Sequence, residues 1–169
     1  MSDAADFILK RLSEMGIPFD QLRHAPVHTI GDCAPIEAAL DAMVVKNYFL
    51  TTKNQKRFFL CLVRPDARFR TADISRQAGS TRLSFGPEDA LESLLHTFPG
   101  AVSPLGLLFD DANAVELLVD GALDATRRVA FHPCDNTRTV AMATSDFFNR
   151  FLPGVKHEPR RVEIHDFMK

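Results

Sequence analysis

The sequence predicts an α+β fold, a mostly antiparallel sheet with helices packed around it. Two observations carry this reading. Short apolar runs rich in Val, Phe and Leu alternate with polar turns through much of the chain, as strands do. Between and beyond them lie segments whose apolar residues recur at helical spacing.

The elements follow in order. A first helix opens near Ser2, places Phe7, Ile8, Leu12 and Met15 on one face and stops at Gly16. "PVHTI" (26–30) reads as a short strand and "PIEAALDA" (35–42) as a helix opened by Pro35. "VVKNYFLTT" and "RFFLCLV", joined by the polar turn "KNQK", form a hairpin. "TADISRQAG" is a short helix capped by Thr71 and stopped by Gly79, and "TRLSF" a brief strand. "GPEDALESLLHTF" is the clearest helix, with Pro87 in its first turn and a stripe of Ala90, Leu91, Leu94, Leu95 and Phe98. The second half reads as four strands in an antiparallel meander, "PLGLLFD", "AVELLVD", "RRVAFHP" and "TRTVAMA". A helix "TSDFFNRFL" and a last strand "RRVEI" follow. There is no repeat, low-complexity tract or interdomain linker, so residues 1–169 are read as one domain.

Composition excludes several classes. Hydrophobic content of 46% and charged content of 25% are those of an ordered globular chain. No apolar run approaches the roughly 18–20 residues of a membrane span. The N-terminus is acidic and amphipathic, unlike a signal or transit peptide. Cys33, Cys61 and Cys134 make no CxxC pair or even framework, and are read as reduced thiols of a cytoplasmic protein. Nine basic residues fall between Lys46 and Arg82 against only Asp66 and Asp73, on a chain of net charge −2. That local excess suits an anionic partner such as a phosphate backbone, or else a solvated face.

Three segments have the residue types that chemistry needs. In "VVKNYFL", Lys46 and Asn47 interrupt a strand that should be buried, and pleating puts them on opposite faces. A lysine among apolar neighbours is costly unless its charge finds a partner or water, so it is either a snorkelling side chain or a cation at the floor of a cleft. In "PGAVSPLG" (99–106), glycines permit close approach of backbone to a ligand and Pro104 stiffens the loop, whose N–H groups suit an oxyanion or phosphate. The alternative is an ordinary helix-to-strand connection. In "FHPCDNTRTV" (131–140), His132 either bonds a substrate or caps the turn. Cys134 and His132 are too close in sequence to act as nucleophile and base, and no second cluster has metal-ligand spacing.

In this order, "KNYFL", "GAVSPLGLL" and "FHPCDNTRTV" resemble the YbaK/prolyl-tRNA editing-domain superfamily, within it most of all the free-standing prolyl-tRNA editing proteins. The resemblance covers about residues 27–152. It matches the family's strand lysine to Lys46 and the following Asn to Asn47. The Gly-x-x-x-Pro loop matches Gly100 to Pro104, and the His-Pro-x-Asp-Asn-Thr segment His132 to Thr137. Tyr48 stands where leucine is frequent, and Cys134 where asparagine is frequent.

The resemblance implies a mixed, mainly antiparallel sheet curled into a partial barrel with surrounding helices. It implies hydrolysis in trans of mischarged tRNA(Pro), most of all Ala-tRNA(Pro), with neither metal nor organic cofactor. Lys46 and Gly100 would be catalytic; Asn47, Ala101, Val102, Ser103, Pro104, His132 and Asp135 would bind substrate. The partners would be the aminoacylated 3′ end and acceptor stem of tRNA, with prolyl-tRNA synthetase as a transient partner and no membrane. A sibling deacylase for Cys-, Ser- or Thr-tRNA, or a non-catalytic aminoacyl-tRNA-binding module, are the alternatives. No tethering extension is evident, which favours a free-standing protein.

Overall fold

The computed structural model describes residues 2–27 and 30–164. In chain order the elements are α1 (Ser2–Glu14), β1 (Asp20–Arg23), α2 (Ala34–Leu40), β2 (Met43–Val44), β3 (Lys46–Thr52), β4 (Phe58–Val63), α3 (Thr71–Ala78), β5 (Leu83–Phe85), α4 (Glu88–Leu95), β6 (Val115–Asp120), β7 (Arg128–Phe131), β8 (Arg138–Ala143) and β9 (Pro159–Val162). Turns of 3-10 helix cover Ile30–Cys33, Pro104–Phe109 and Gly121–Ala125. A last helical segment runs from Thr144–Asp146 through a π-helical stretch, Phe147–Phe151, to Leu152–Gly154.

The strands form two mixed sheets, ordered β1-β8-β7-β2 and β5-β3-β4-β6-β9. Pairs β1/β8, β7/β8, β3/β4 and β3/β5 are antiparallel, while β2/β7, β4/β6 and β6/β9 are parallel. This is the predicted α+β architecture. The β3–β4 hairpin forms as expected, with Lys46 opposite Val63 and Thr51 opposite Phe58.

The predicted four-strand meander does not form. "PLGLLFD" is a 3-10 turn, because Ser103 Oγ accepts from Leu105 N at 3.1 Å and Pro104 starts the turn without an N–H for a ladder. A short apolar run does not distinguish the two outcomes by periodicity. β6 lies between β4 and β9, parallel to both, in the other sheet from β7 and β8. It and β4 are buried on both faces, which accounts for their nearly unbroken apolar runs. The strand expected at 26–30 falls partly on residues 28–29, outside the described residues; β1 lies earlier, at Asp20–Arg23.

Helix ends follow their sequence signals with two exceptions. α3 stops at Gly79 in the left-handed conformation, but Thr71 is its first helical residue and Arg70 precedes it without a side-chain cap. α4 ends at His96, at φ 55°, so Phe98 lies beyond the turn and is 38% exposed rather than on the stripe.

The inner faces of both sheets share the largest core. There Val45, Phe49, Leu60 and Leu62 meet Leu117, Val129, Phe131 and Val140, with α1 and α4 adding Ile8, Leu12, Leu91 and Leu95. The outer faces are covered separately. α3 packs Ile74 and Ala78 on Leu50, Phe59 and Cys61, while α2 packs Ile36 and Leu40 on Val44, Ala130 and Ala141. Each large side chain so buried contributes about 1.5–3 kcal/mol. No helix among the described residues is long and apolar enough to cross a membrane.

Gly106 sets how closely the 3-10 turn approaches α4, since a Cβ there would lie 2.5 Å from the Leu95 carbonyl oxygen. Gly106→Ala is expected to destabilise the fold by about 1–3 kcal/mol, read as a lower midpoint of urea unfolding. An unchanged midpoint would show that this contact does not constrain the turn.

Candidate active site

The site starts where one stretch of chain passes between sheets. Val44 pairs with Ala130 in the first sheet, Val45 N–H still donates to the Ala130 carbonyl at 3.2 Å, and Lys46 opens the second sheet opposite Val63. The two sheets therefore part at Val45, and a cleft of ≈ 260 Å³ opens at the gap. Val44, Val45 and Phe131 give it apolar walls; Lys46, Asn47, Gly100 and His132 bring one or more residues from each of the three sequence segments.

Strand pleating puts Lys46 and Asn47 on opposite faces, yet both reach this cleft because it lies at the strand's end. Lys46 makes no ion pair or hydrogen bond with the described residues and is half-buried. Asn47 Nδ2 donates to the Val45 carbonyl at 3.0 Å, which braces the crossover. Its Oδ1 is buried with no hydrogen-bond partner among the described residues and remains an open acceptor.

The 99–106 loop reaches the cleft through Gly100, whose φ of 101° favours glycine. A Cβ at Gly100 would sit 3.8 Å from the Asn136 amide nitrogen. The other loop N–H groups expected to receive an anion are largely engaged. Ala101 N donates to Phe98 O, Gly106 N to Ser103 O and Leu105 N to Ser103 Oγ. Gly100 N–H has no acceptor among the described residues.

His132 closes the opposite wall. Its Nδ1 donates to the Arg138 carbonyl at 2.8 Å, which leaves Nε2 as an acceptor in the neutral ring. Burial, with a smaller contribution from the nearby His24, holds its pKa below the ordinary value despite the Arg138 hydrogen bond and Asp135. Thr139 Oγ1 bridges the two histidines, 2.8 Å from His24 Nε2 and 3.4 Å from His132 Nδ1. Because His24 Nδ1 donates to the Ala25 carbonyl, the Thr139 hydroxyl donates to His24 Nε2.

The remaining sequence candidates stand behind the cleft. Ala101, Ser103 and Pro104 are buried and shape the loop, Ser103 as the cap of the 3-10 turn. Val102 packs on the main core. Asp135, expected to bind substrate, is not in the cleft wall. Its Oδ1 accepts from Thr137 N and Oγ1 at 2.9 and 2.6 Å, and Arg138 lies 3.5 Å from its Oδ2. Desolvation opposes its charge, but these partners outweigh it and keep the carboxyl below its usual range. Cys134 Sγ points at the Leu95 carbonyl, and burial pushes the thiol up to about 12, so it is no thiolate at neutral pH. Sequence reasoning missed Val27, Cys33, Glu37 and Pro65 in the cleft wall. They come from segments with no shared motif, and only long-range packing assembles them.

A larger hollow of ≈ 1240 Å³ lies between α1 and α4, but it holds none of the three sequence segments. Asp3, Glu88, Asp89 and Glu92 line it, and that charge disfavours a phosphate backbone. Among the described residues no cluster of His, Cys, Asp or Glu suits a metal ion. Of the basic segment, Arg57 pairs with Glu116, Arg64 with Asp66 and the buried Asp120, and Arg76 with Asp73. Lys53, Lys56, Arg68 and Arg82 are exposed and form no ion pair with described residues.

Residues 24–149 match the aminoacyl-tRNA editing domain family. The chain is 34% identical over 144 residues to the prolyl-tRNA editing protein ProX of Acetoanaerobium sticklandii, covering 85% of this chain and 88% of that one. It is 30% identical over 154 residues to the prolyl-tRNA synthetase associated domain-containing protein 1 of Bos taurus, covering 89% of each. A crystal structure ascribed to a trans-editing enzyme for prolyl tRNA synthetase shares the fold at TM-score 0.74 and 15% identity, over 98% of this chain and 99% of that one. With the family match spanning most of the chain and all three segments that meet at the cleft, the chain belongs to the aminoacyl-tRNA editing domain family.

Proposed function

We propose that this chain removes alanine from mischarged tRNA(Pro), in trans, by water attack on the aminoacyl ester in the Lys46–Gly100–His132 cleft. Membership of the editing family makes the chain an aminoacyl-tRNA deacylase; the amino acid, the site and the roles of its residues are the proposal. The observation that carries it is that segments far apart in sequence meet in one small cleft around Lys46, a cation that forms no ion pair with the described residues. An aminoacyl ester is already activated, so positioning and charge stabilisation are enough.

In this reading the ester carbonyl lies against Gly100 N–H, with the Lys46 ammonium beside the oxygen that becomes negative. Water adds to the carbonyl carbon, the ester C–O bond breaks, and the proton given up by the water passes to the ribose oxygen, which leaves as a hydroxyl. His132 Nε2 and Asn47 Oδ1 are acceptors that orient the water, the terminal adenosine or the substrate's amino group. The apolar walls of Val44, Val45 and Phe131 support a small apolar side chain as the occupant. A synthetase pocket shaped for proline gains only about 1–3 kcal/mol against a smaller side chain, so a second site must sieve the other way. Cys33 and Glu37 also line the cleft, which favours a small polar side chain as the second reading.

A deacylation panel of Ala-, Ser-, Cys-, Thr- and Pro-tRNA(Pro) separates these readings. Turnover of the alanyl ester with the prolyl ester untouched is expected; preference for the seryl or threonyl ester selects the second reading, and no turnover removes both. Lys46→Ala is expected to lower kcat by about 10²-fold or more with an unchanged unfolding midpoint. Near-wild-type hydrolysis would remove Lys46 from the chemistry.

Binding to tRNA should weaken steeply as salt rises, because exposed Lys53, Lys56, Arg68 and Arg82 displace counterions; a flat response would place them away from phosphate.

The depressed pKa of His132 fixes a sign. Below its ordinary value of 6.5 the unfolded chain takes up the proton more readily than the folded one. The His132 contribution to stability is therefore complete above that range and declines as pH falls through it. His132→Gln should flatten this part of the stability profile, measured by urea unfolding between about pH 5 and 7. An unchanged profile would show that His132 does not titrate in that window.

A further inference from the structure

Tyr48 is the one tyrosine of the chain and there is no tryptophan. It stacks on Phe69, ring centroids 3.9 Å apart at 13°, and its centroid lies 6.1 Å from that of Phe85. Phe85 is 63% exposed, the most exposed large apolar side chain among the described residues. The three rings come from β3, the loop before α3 and β5, so no sequence spacing reveals the row.

The row adjoins the cleft. Tyr48 follows Lys46 by two residues on the same face of β3, and Phe85 pairs with Leu50, two residues further on that face. At about 3.3 Å per residue, the row runs roughly 13 Å along the strand from Lys46. Pro65 in the cleft wall and Phe69 belong to one loop. The surroundings are basic. Arg68 and Arg70, flanking Phe69, and Arg82, three residues before Phe85, are all exposed. Glu88 and Asp89 line the acidic hollow between α1 and α4.

An exposed aromatic face backed by further rings, set among arginines and leading to the cleft, has the makings of a platform for unpaired nucleotides. Bases stack on such rings without sequence readout while cations neutralise the phosphates. We propose that the Phe69–Tyr48–Phe85 row receives the unpaired 3′ segment of the tRNA, a base stacking on the open face of Phe85, and guides the terminal aminoacyl adenosine into the cleft. This rests on the reading of the substrate as aminoacyl-tRNA.

The test compares uncharged tRNA(Pro) with the same tRNA trimmed of its last three nucleotides, binding wild type and Phe85→Ala. The exposed position of Phe85 allows the substitution without loss of core packing. The intact tRNA is expected to bind Phe85→Ala about tenfold more weakly than wild type, while the trimmed tRNA binds both alike. Phe85→Trp should restore the affinity. Tyrosine emission, which reports Tyr48 alone, should be quenched by intact and not by trimmed tRNA. Equal affinity of wild type and Phe85→Ala for intact tRNA would overturn the proposal.

Failure of the hydrolase reading looks different. Wild type that turns over none of the charged tRNAs, but still loses affinity through Phe85→Ala, keeps the platform and discards the alanine-removal assignment. Active wild type whose KM is unmoved by Phe85→Ala does the reverse.

Discussion

The single hydrogen bond from Val45 N–H to the Ala130 carbonyl marks the constraint on which the site depends. One extended stretch, Met43 to Thr52, serves two sheets in succession, and Val45 belongs to the ladder of neither strand. A continuous ladder would have closed the gap and buried Lys46 among the residues of one sheet. The break instead leaves two adjacent residues of opposite pleat facing one opening. It also explains how an ammonium survives at the start of a strand whose later residues are buried, because the cleft gives it access to water.

The other walls are held by hydrogen bonds that turn away from the cleft. Thr97 Oγ1 donates to the Ala101 carbonyl, Ser103 caps the 3-10 turn, and Asp135 accepts twice from Thr137. These contacts fix backbone rather than substrate, and leave a short set of open groups at the cleft: the Lys46 ammonium, Gly100 N–H, Asn47 Oδ1 and His132 Nε2. Preorganisation of that kind suits the proposed hydrolysis of an already activated ester, which asks little of the protein beyond fixed geometry and charge. The burial of Cys134 belongs to the same pattern, with its thiol serving as packing between the 131–140 turn and the end of α4.

Charge is divided between the two ends of the molecule's chemistry. The α1–α4 hollow is acidic, while the exposed arginines near Phe69 and Phe85 stand on the β3–β5 side. The linear excess of positive charge between Lys46 and Arg82 overstates the surface available to phosphate. Arg57, Arg64 and Arg76 are engaged with carboxylates, two of which, on Glu116 and Asp120, come from β6 outside the segment.

Local patterns in the sequence determined much of the fold: α1, the β3–β4 hairpin, α3 and α4 follow from apolar period and stop signals, each being a short-range property. The ordered triplet of segments likewise identified Lys46, Asn47, Gly100 and His132, which do share the cleft. What the sequence left undecided depends on long-range pairing. "PLGLLFD" and "AVELLVD" look like successive strands, yet one is a 3-10 turn against α4 and the other a central parallel strand. That choice was made by Gly106 fitting against Leu95 and by β4 accepting β6 as a neighbour. Asp135 looked as available as His132, and only the fold shows its carboxylate turned into the loop while the imidazole faces the cleft. Alternation placed Lys46 and Asn47 on opposite faces; the tertiary structure decided that they share an opening, because the two sheets separate at the residue before them.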